Sequence, residues 1–580
     1  MKKRARYTVY VLMSLAVVLA LSVAAYAAEP VVNDVYAKHG MVSSAHELAS
    51  KAGVEILQRG GNAIDAAVAT ALALNVVEFN ASGVGGGGFT TIRFAETGEV
   101  VCLDYRETAP ASATKDMYAS EQSKQERWTI DGGKAVGVPG YVKGMCYLLE
   151  TYGTLTFAEV AAPAIRLAEE GFEVHPMQNG IIADNFDRLT KYNDPALVPY
   201  FQDGLPLPAG SILKQPNLGR LFRLIGEQGP DAFYRGPVAE AIAAAVNRNG
   251  GQMTVSDLND YQIEVRTPMT GTYRGYRIYS MPPSSSGGAH IVQLMNILEL
   301  FPMASYGHNS PKAMHIFAEA NKLIFADRGA FMADTAFVQV PLAGITSKEY
   351  AKTLAAKIDD YRIMTEGIAP GDPWSFQSEP KRADAVGGLG SERISTSSFS
   401  TVDEAGNIVA STNTINYFCG SGVLVPEYGF LLNDEMDDFS QNAQSVNAPE
   451  PGKRPLSSMS PTIVLDPQGR PYMSIGAAGA TRIFTSIAQI IMNTVDYGMT
   501  MSEAITAPRI HNQLAGGDKA GKLMMEGHFD ENSLMWMKIR GYDVQEGVHI
   551  GTAQGILFDQ SKGVMNGGAD FRRLGVPVGY

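Results

Sequence analysis

Cysteine, histidine clusters, excess positive charge and internal apolar runs are all scarce in this chain, and each scarcity excludes something. The three cysteines, Cys102, Cys146 and Cys419, have neither the numbers of a disulfide framework nor the spacing of a metal site. Each is expected to be a small buried side chain. The nine histidines are scattered without an HExxH or comparable cluster, so a protein-bound metal is not expected; no other cofactor is expected either. Lys plus Arg number 47 against 60 Asp plus Glu, a net charge of -13. That balance argues against nucleic acid and anionic lipid as partners and favours a small-molecule substrate. The one long apolar run follows the basic start Met1-Lys2-Lys3-Arg4-Ala5-Arg6, extending from Val9 to Val23 and ending at Ala25-Tyr26-Ala27. This pattern predicts a secretory signal over residues 1–28, removed after Ala27 or Ala28, and hence a soluble protein of the bacterial periplasm or exterior. An uncleaved anchor is the alternative, because Tyr7 to Ala28 could just span a bilayer.

What the chain has in abundance is glycine, 60 residues, together with one stretch rich in hydroxyls. From Ser397 to Val402 and from Ile408 to Thr414 the sequence favours strands, with turn residues Glu404-Ala405-Gly406-Asn407 between them. A hairpin is predicted that opens on Thr396. Side-chain alternation puts Thr396, Ser398 and Ser400 on one face and groups Thr412, Thr414 and Asn416 likewise. By pattern alone this is an edge hairpin with a solvated hydroxyl face. Upstream, residues 43 to 77 predict two helices, the first ending at Gly60-Gly61 and the second capped by Asn62 with Asp65 in its first turn. The second is alanine-rich and suits close packing in a layered fold. The following SGVGGGGF at 82–89 lacks a Lys-Ser/Thr and has the wrong element order for a phosphate loop.

Several residues admit two readings. Arg106 falls where strand gives way to loop; it is either a surface partner of Glu107 or a two-toothed grip for a carboxylate. Glu435 and Asp438 stand three apart and would meet on a helical turn, either to hold an ammonium or as part of a solvated acidic loop with Asp434 and Asp437. Ser457 and Ser458 sit between a Lys453-Arg454-Pro455 turn and a strand from Thr462 to Leu465, as turn formers would. A strand from Tyr472 to Ile475 enters Gly476-Ala477-Ala478-Gly479-Ala480-Thr481, and Phe484, Ile487, Ile491 and Val495 follow at helical spacing. Free N-H groups at Gly479 and Ala480 could stabilise an oxyanion there, or the loop is simply a tight connection. Residues 136 to 385 read as mainly helical with no catalytic constellation. The Gly- and Pro-rich stretch from 366 to 392 reads as a flexible linker.

Eight blocks resemble the gamma-glutamyltransferase (gamma-glutamyltranspeptidase) family: GMVSSAHELASKAGVEILQRGGNAIDAAVA at 40–69, SGVGGGGF, LDYRETAPASATKDMY at 103–118, VGVPGYVKGM at 136–145, ADRGAFMADTAFVQVP at 326–341, LLNDEMDDFS at 431–440, KRPLSSMSPTIV at 453–464 and the terminal VPVGY. The resemblance implies an N-terminal-nucleophile hydrolase: an α+β fold, a four-layer αββα sandwich forming one domain from both pieces of a precursor that cuts itself at Ser395-Thr396. Residues 29–395 would be the large subunit and 396–580 the small one, a heterodimer. It further implies Thr396 as nucleophile, oriented by Thr414, with the oxyanion at Gly479 and Ala480. Arg106, Ser457 and Ser458 would hold the donor alpha-carboxylate, and Asn416, Glu435 and Asp438 its alpha-amine. The implied substrates are glutathione and other gamma-glutamyl amides, with water, amino acids or peptides as acceptors. Thr396-Ser397-Ser398 replaces the usual Thr-Thr-His, and Gly479-Ala480 replaces Gly-Gly. The short aromatic-free segment from Ser440 to Arg454 in place of a lid implies an open site. The rivals are a cephalosporin (glutaryl) acylase of the same family and an uncleaved, inactive periplasmic glutamyl-binding protein.

Overall fold

A computed structural model describes residues 32–380, 395–516 and 519–580. The segment at 1–28 expected to be a signal and residues 381–392 of the glycine-rich linker lie outside the described residues. The described part of that linker is packed: Ile368 is buried and the Gly371 N-H donates to Asp327 at 2.8 Å.

The fold is mixed α/β, built on two seven-stranded sheets in which every pairing is antiparallel. One runs Val35–Ala37, Val564–Ala569, Thr552–Asp559, Pro471–Ala478, Thr462–Leu465, Tyr276–Ser280, Met269–Tyr273. The other runs Val576–Gly579, Met41–Ser44, Ser397–Val402, Ile408–Thr414, Gly87–Arg93, Val100–Asp104, Glu264–Arg266. The hairpin occurs with the strand limits read from the sequence, Ser398 opposite Thr412 and Ser400 opposite Ala410. It is not at an edge. It lies in the middle of its sheet, flanked by Met41–Ser44 and Gly87–Arg93, and every residue of both strands is buried.

Burial explains the hydroxyls. Ser400 meets Ser474 of the facing sheet at 2.9 Å and Ser398 donates to Gln554 there. The intervening residues point the other way, where Thr401 donates to the Ala63 carbonyl at 2.7 Å and Ser397 to Glu78 at 2.5 Å. The hydroxyl ladder thus satisfies polar groups between two sheets, where an unmade hydrogen bond would be costly.

Helices cover the outer faces. Glu47–Gln58 and Ala63–Val77 lie on the sheet that carries the hairpin, and Gly287–Leu298, Arg482–Val495 and Met501–Thr506 on the other. The alanine helix is buried along its whole length and begins in a capping box of Asn62 and Asp65. Its close approach to the preceding helix needs Gly53, where a Cβ would stand 2.2 Å from the Thr70 hydroxyl. Cys102, Cys146 and Cys419 are free and buried. Among the described residues no helix is long and apolar enough to cross a membrane.

Candidate functional site

Thr396 immediately precedes the first strand of the hairpin and is only 6% exposed. Its hydroxyl lies 3.0 Å from that of Thr414, at the end of the second strand. Its φ is +85°, a region that a β-branched residue avoids and that costs on the order of 1–3 kcal/mol. The second strand stops at Thr414, so Asn416 does not continue the strand face with Thr412 and Thr414 as the alternation predicted. With φ +70° it turns back, its N-H donating to the Thr414 hydroxyl at 2.8 Å and its amide to the Asp434 carbonyl at 3.0 Å.

Glu435 and Asp438 fall on one turn of 3-10 helix, Glu435–Asp438. The acidic run is not a solvated loop, since Asp434, Glu435 and Asp437 are all buried. Arg106, 1% exposed, is not a surface residue and does not bond Glu107. Its two terminal nitrogens donate to Glu435 and to Asp438, and its Nε to the Pro455 carbonyl at 3.3 Å. Burial disfavours the Arg106 cation, yet Glu435 and then Asp438 hold its pKa above the ordinary value.

Ser457 and Ser458 reach the same place through a buried contact with the loop at 284–286. The Ser457 N-H donates to the Ser284 carbonyl at 3.0 Å, and the Ser458 hydroxyl accepts from Arg328 at 3.0 Å. Past the strand Pro471–Ala478, Gly479 has φ +135° and Ala480 φ +57° before the helix Arg482–Val495 begins. A Cβ at 479 would lie 2.7 Å from the Gly551 Cα. Ala480 therefore takes the left-handed conformation that its methyl group resists, at a cost of about 1–2 kcal/mol. Neither N-H is engaged by an acceptor among the described residues.

Nine of the ten residues singled out from the sequence line one small cavity: Thr396, Thr414, Asn416, Arg106, Glu435, Asp438, Ser457, Ser458 and Ala480, with Met459 and Ile483 beside them. Gly479 adjoins through Ala480 and does not line it. The free space is about 20 Å³, room for roughly one water. The open site expected from the short 440–454 segment concerns a lid, and no residue of that segment lines the pocket; its free space is small because Arg106 and the two carboxylates bond one another across it.

Sequence reasoning missed four residues here. Arg328 sits inside a block already noted, but its 130-residue reach to Ser458 leaves no periodic signal; it also donates to Ser286 at 2.9 Å. Glu78 and Arg573 meet beside Thr396 from opposite ends of the chain. Glu107 is buried within electrostatic range of Arg106, and neither of its carboxyl oxygens has a side-chain hydrogen-bond partner among the described residues. Burial pushes its pKa up to about 8, with Arg106 opposing. The raised value means the folded state holds this proton more tightly than the unfolded chain. The folding advantage is full below the unfolded value near ~4.3, fades as pH rises, and is gone above about 8. Glu107→Gln, which needs no proton, is therefore expected to gain Tm relative to wild type by about 2–3 °C between pH 5 and pH 8. A Tm difference that stays constant over that range would show Glu107 to be ionised throughout.

Comparison with known proteins gives a consistent picture. The sequence profile described as gamma-glutamyltranspeptidase matches residues 49–580. A glutathione hydrolase proenzyme of Escherichia coli (strain K12) is 39% identical over 562 residues, covering 94% of this chain and 92% of that protein. An Acylase ACY 1 proenzyme of Pseudomonas sp. (strain SE83) is 38% identical over 547 residues, covering 93% of each. Among solved structures, a cephalosporin acylase from Bacillus halodurans superposes with a TM-score of 0.84 at 29% identity, covering 96% of this chain and 98% of that one.

Proposed function

This chain belongs to the gamma-glutamyltranspeptidase family, and from that premise we propose that it is a gamma-glutamyltransferase and glutathione hydrolase that matures by cutting itself at Ser395-Thr396. Helices outside each of two facing sheets support the four-layer αββα sandwich of N-terminal-nucleophile hydrolases. Residues 29–395 and 396–580 then form a large and a small subunit, and relatives named proenzymes support that division. The basic-apolar N-terminus supports export to the periplasm or exterior.

In self-cleavage the Thr396 Oγ1 attacks the Ser395 carbonyl carbon, the C-N bond breaks, and the hydroxyl proton passes to the nitrogen. Water then hydrolyses the resulting ester, leaving a Ser395 carboxylate, a free Thr396 hydroxyl and a free Thr396 amine. That amine, with a pKa near ~7.7, serves as general base for its own hydroxyl at neutral pH. In turnover Oγ1 attacks the donor gamma-carbonyl, and the oxyanion forms against the Gly479 and Ala480 N-H groups. The hydroxyl proton leaves with the departing amine. Water or an acceptor amine then takes the gamma-glutamyl group and returns the proton to Thr396.

The observation that carries the donor assignment is Arg106 bonded to Glu435 and Asp438 in one buried cavity. A gamma-glutamyl donor carries both charges needed to replace those contacts. Its carboxylate takes the guanidinium, and its ammonium takes the carboxylates thereby released. A glutaryl donor supplies only the first and would leave the buried Glu435 and the half-buried Asp438 without a cationic partner. Purified protein is therefore expected to release glutamate from glutathione, and to cleave a gamma-glutamyl anilide at least tenfold faster in kcat/KM than the glutaryl anilide. The reverse preference would establish the acylase reading, in line with the relatives so named.

A further inference from the structure

Thr396 is gripped from both sides of its Cα. On the side-chain side, Thr414 stands 3.0 Å from its hydroxyl. On the main-chain side, the Arg573 guanidinium donates to the Thr396 carbonyl at 2.5 Å. Arg573 is itself anchored. It is buried, faces Glu78 at 3.5 Å and lies over the Phe418 ring at 5.5 Å. Glu78 in turn accepts the Ser397 hydroxyl at 2.5 Å. Glu78 stands at the C-terminal end of the alanine helix, where the helix dipole disfavours a carboxylate. Burial likewise raises the Glu78 pKa, and the Arg573 cation and the Ser397 hydroxyl oppose that rise, so Arg573 is drawn to this spot by both the helix end and the carboxyl, and the chain from Glu78 through Arg573 to the Thr396 carbonyl is short.

The φ torsion of Thr396 is measured against the carbonyl carbon of Ser395. Cutting the Ser395-Thr396 bond removes that carbon, so the strain of φ +85° exists only in the uncut chain and is released by the cut. Strain of this kind persists only where the surroundings over-determine it. We propose that Arg573, anchored by Glu78 and Ser397, is a positioning residue that latches Thr396 in the strained conformation from which its hydroxyl attacks. The latch serves self-cleavage and not donor binding, since neither Arg573 nor Glu78 lines the cavity that holds Arg106, Glu435 and Asp438. This rests on the self-cleavage at Ser395-Thr396 proposed above.

The test follows conversion of freshly synthesised full-length chain into two pieces on a denaturing gel, for wild type, Arg573→Gln, Arg573→Lys and Glu78→Gln, with Tm measured for each. Arg573→Gln is expected to slow conversion at least tenfold. Arg573→Lys should recover part of the rate, because an ammonium can still donate to one carbonyl, and Glu78→Gln should slow conversion severalfold. Whatever matures should keep a KM for glutathione within twofold of wild type. A wild-type chain that never cuts itself would remove the reading on which the latch rests. If wild type cuts and Arg573→Gln cuts at a rate within twofold, the latch is overturned. It is also overturned if Arg573→Lys is no faster than Arg573→Gln and both lose Tm in parallel, which marks a purely structural role. Should Arg573→Gln fail to fold, wild-type conversion by both Arg573→Lys and Glu78→Gln overturns it equally.

Discussion

Thr396→Ala is expected to remain a single uncut chain and to release no glutamate from glutathione, while Thr396→Ser yields two pieces slowly and turns over at a reduced rate. The proposed mechanism gives one residue two separable tasks: its hydroxyl would make the cut, and its freed amine would then serve as base. Alanine removes the hydroxyl and with it both tasks. Serine keeps Oγ but loses the methyl that limits χ1, so the 3.0 Å approach to Thr414 is occupied for less of the time. Wild type should show pieces of 367 and 185 residues if the signal ends at Ala28, from 395 − 28 and 580 − 395. N-terminal sequencing of the smaller piece should begin Thr-Ser-Ser-Phe-Ser. Purified protein that stays uncut yet still releases glutamate would overturn the mechanism, and protein that stays uncut and inactive would establish the binding-protein reading.

Arg106→Lys is expected to lower kcat/KM for gamma-glutamyl donors about ten- to a hundred-fold, the equivalent of losing ~1.5–3 kcal/mol of charge-assisted hydrogen bonding. The charge is preserved, so the loss measures geometry. All three guanidinium nitrogens are used, toward Glu435, Asp438 and the Pro455 carbonyl, and a single ammonium cannot span those directions or present two parallel donors to a carboxylate. Arg106→Ala should fail differently. It leaves Glu435 buried without a counter-ion, at a cost of about 3–5 kcal/mol in stability, and is expected to lower Tm as well as activity. Unchanged kcat/KM in the lysine variant would place Arg106 outside donor recognition.

Local chemistry carried much of this structure in the sequence. The limits of the hairpin, the Asn62 cap, the turn at Glu435–Asp438 and the helix after the small-residue loop all follow from propensity, capping and periodicity within a dozen residues. The candidate site residues were legible for a different reason: their motifs resemble a family's. The residues by themselves left Arg106, Glu435, Asp438 and the two serines open to ordinary readings.

What the tertiary structure alone decided is burial and long-range pairing. A row of Ser and Thr on a strand gives the same pattern whether it faces water or another sheet, and here it faces Ser474 and Gln554. An arginine's partner is set by which segments converge in space, so Arg106 bonds carboxylates more than 320 residues away and not its neighbour Glu107. Arg328 behind Ser458, and Glu78 with Arg573 behind Thr396, carry no local signal because their partners lie 130 or more residues away. The sequence determined which chemistry the chain can perform, since hydroxyl, guanidinium and carboxylate are fixed by residue type. Only the packing of two sheets determined that these groups meet in one small, largely buried cavity, where restricted access of water strengthens their charges and hydrogen bonds.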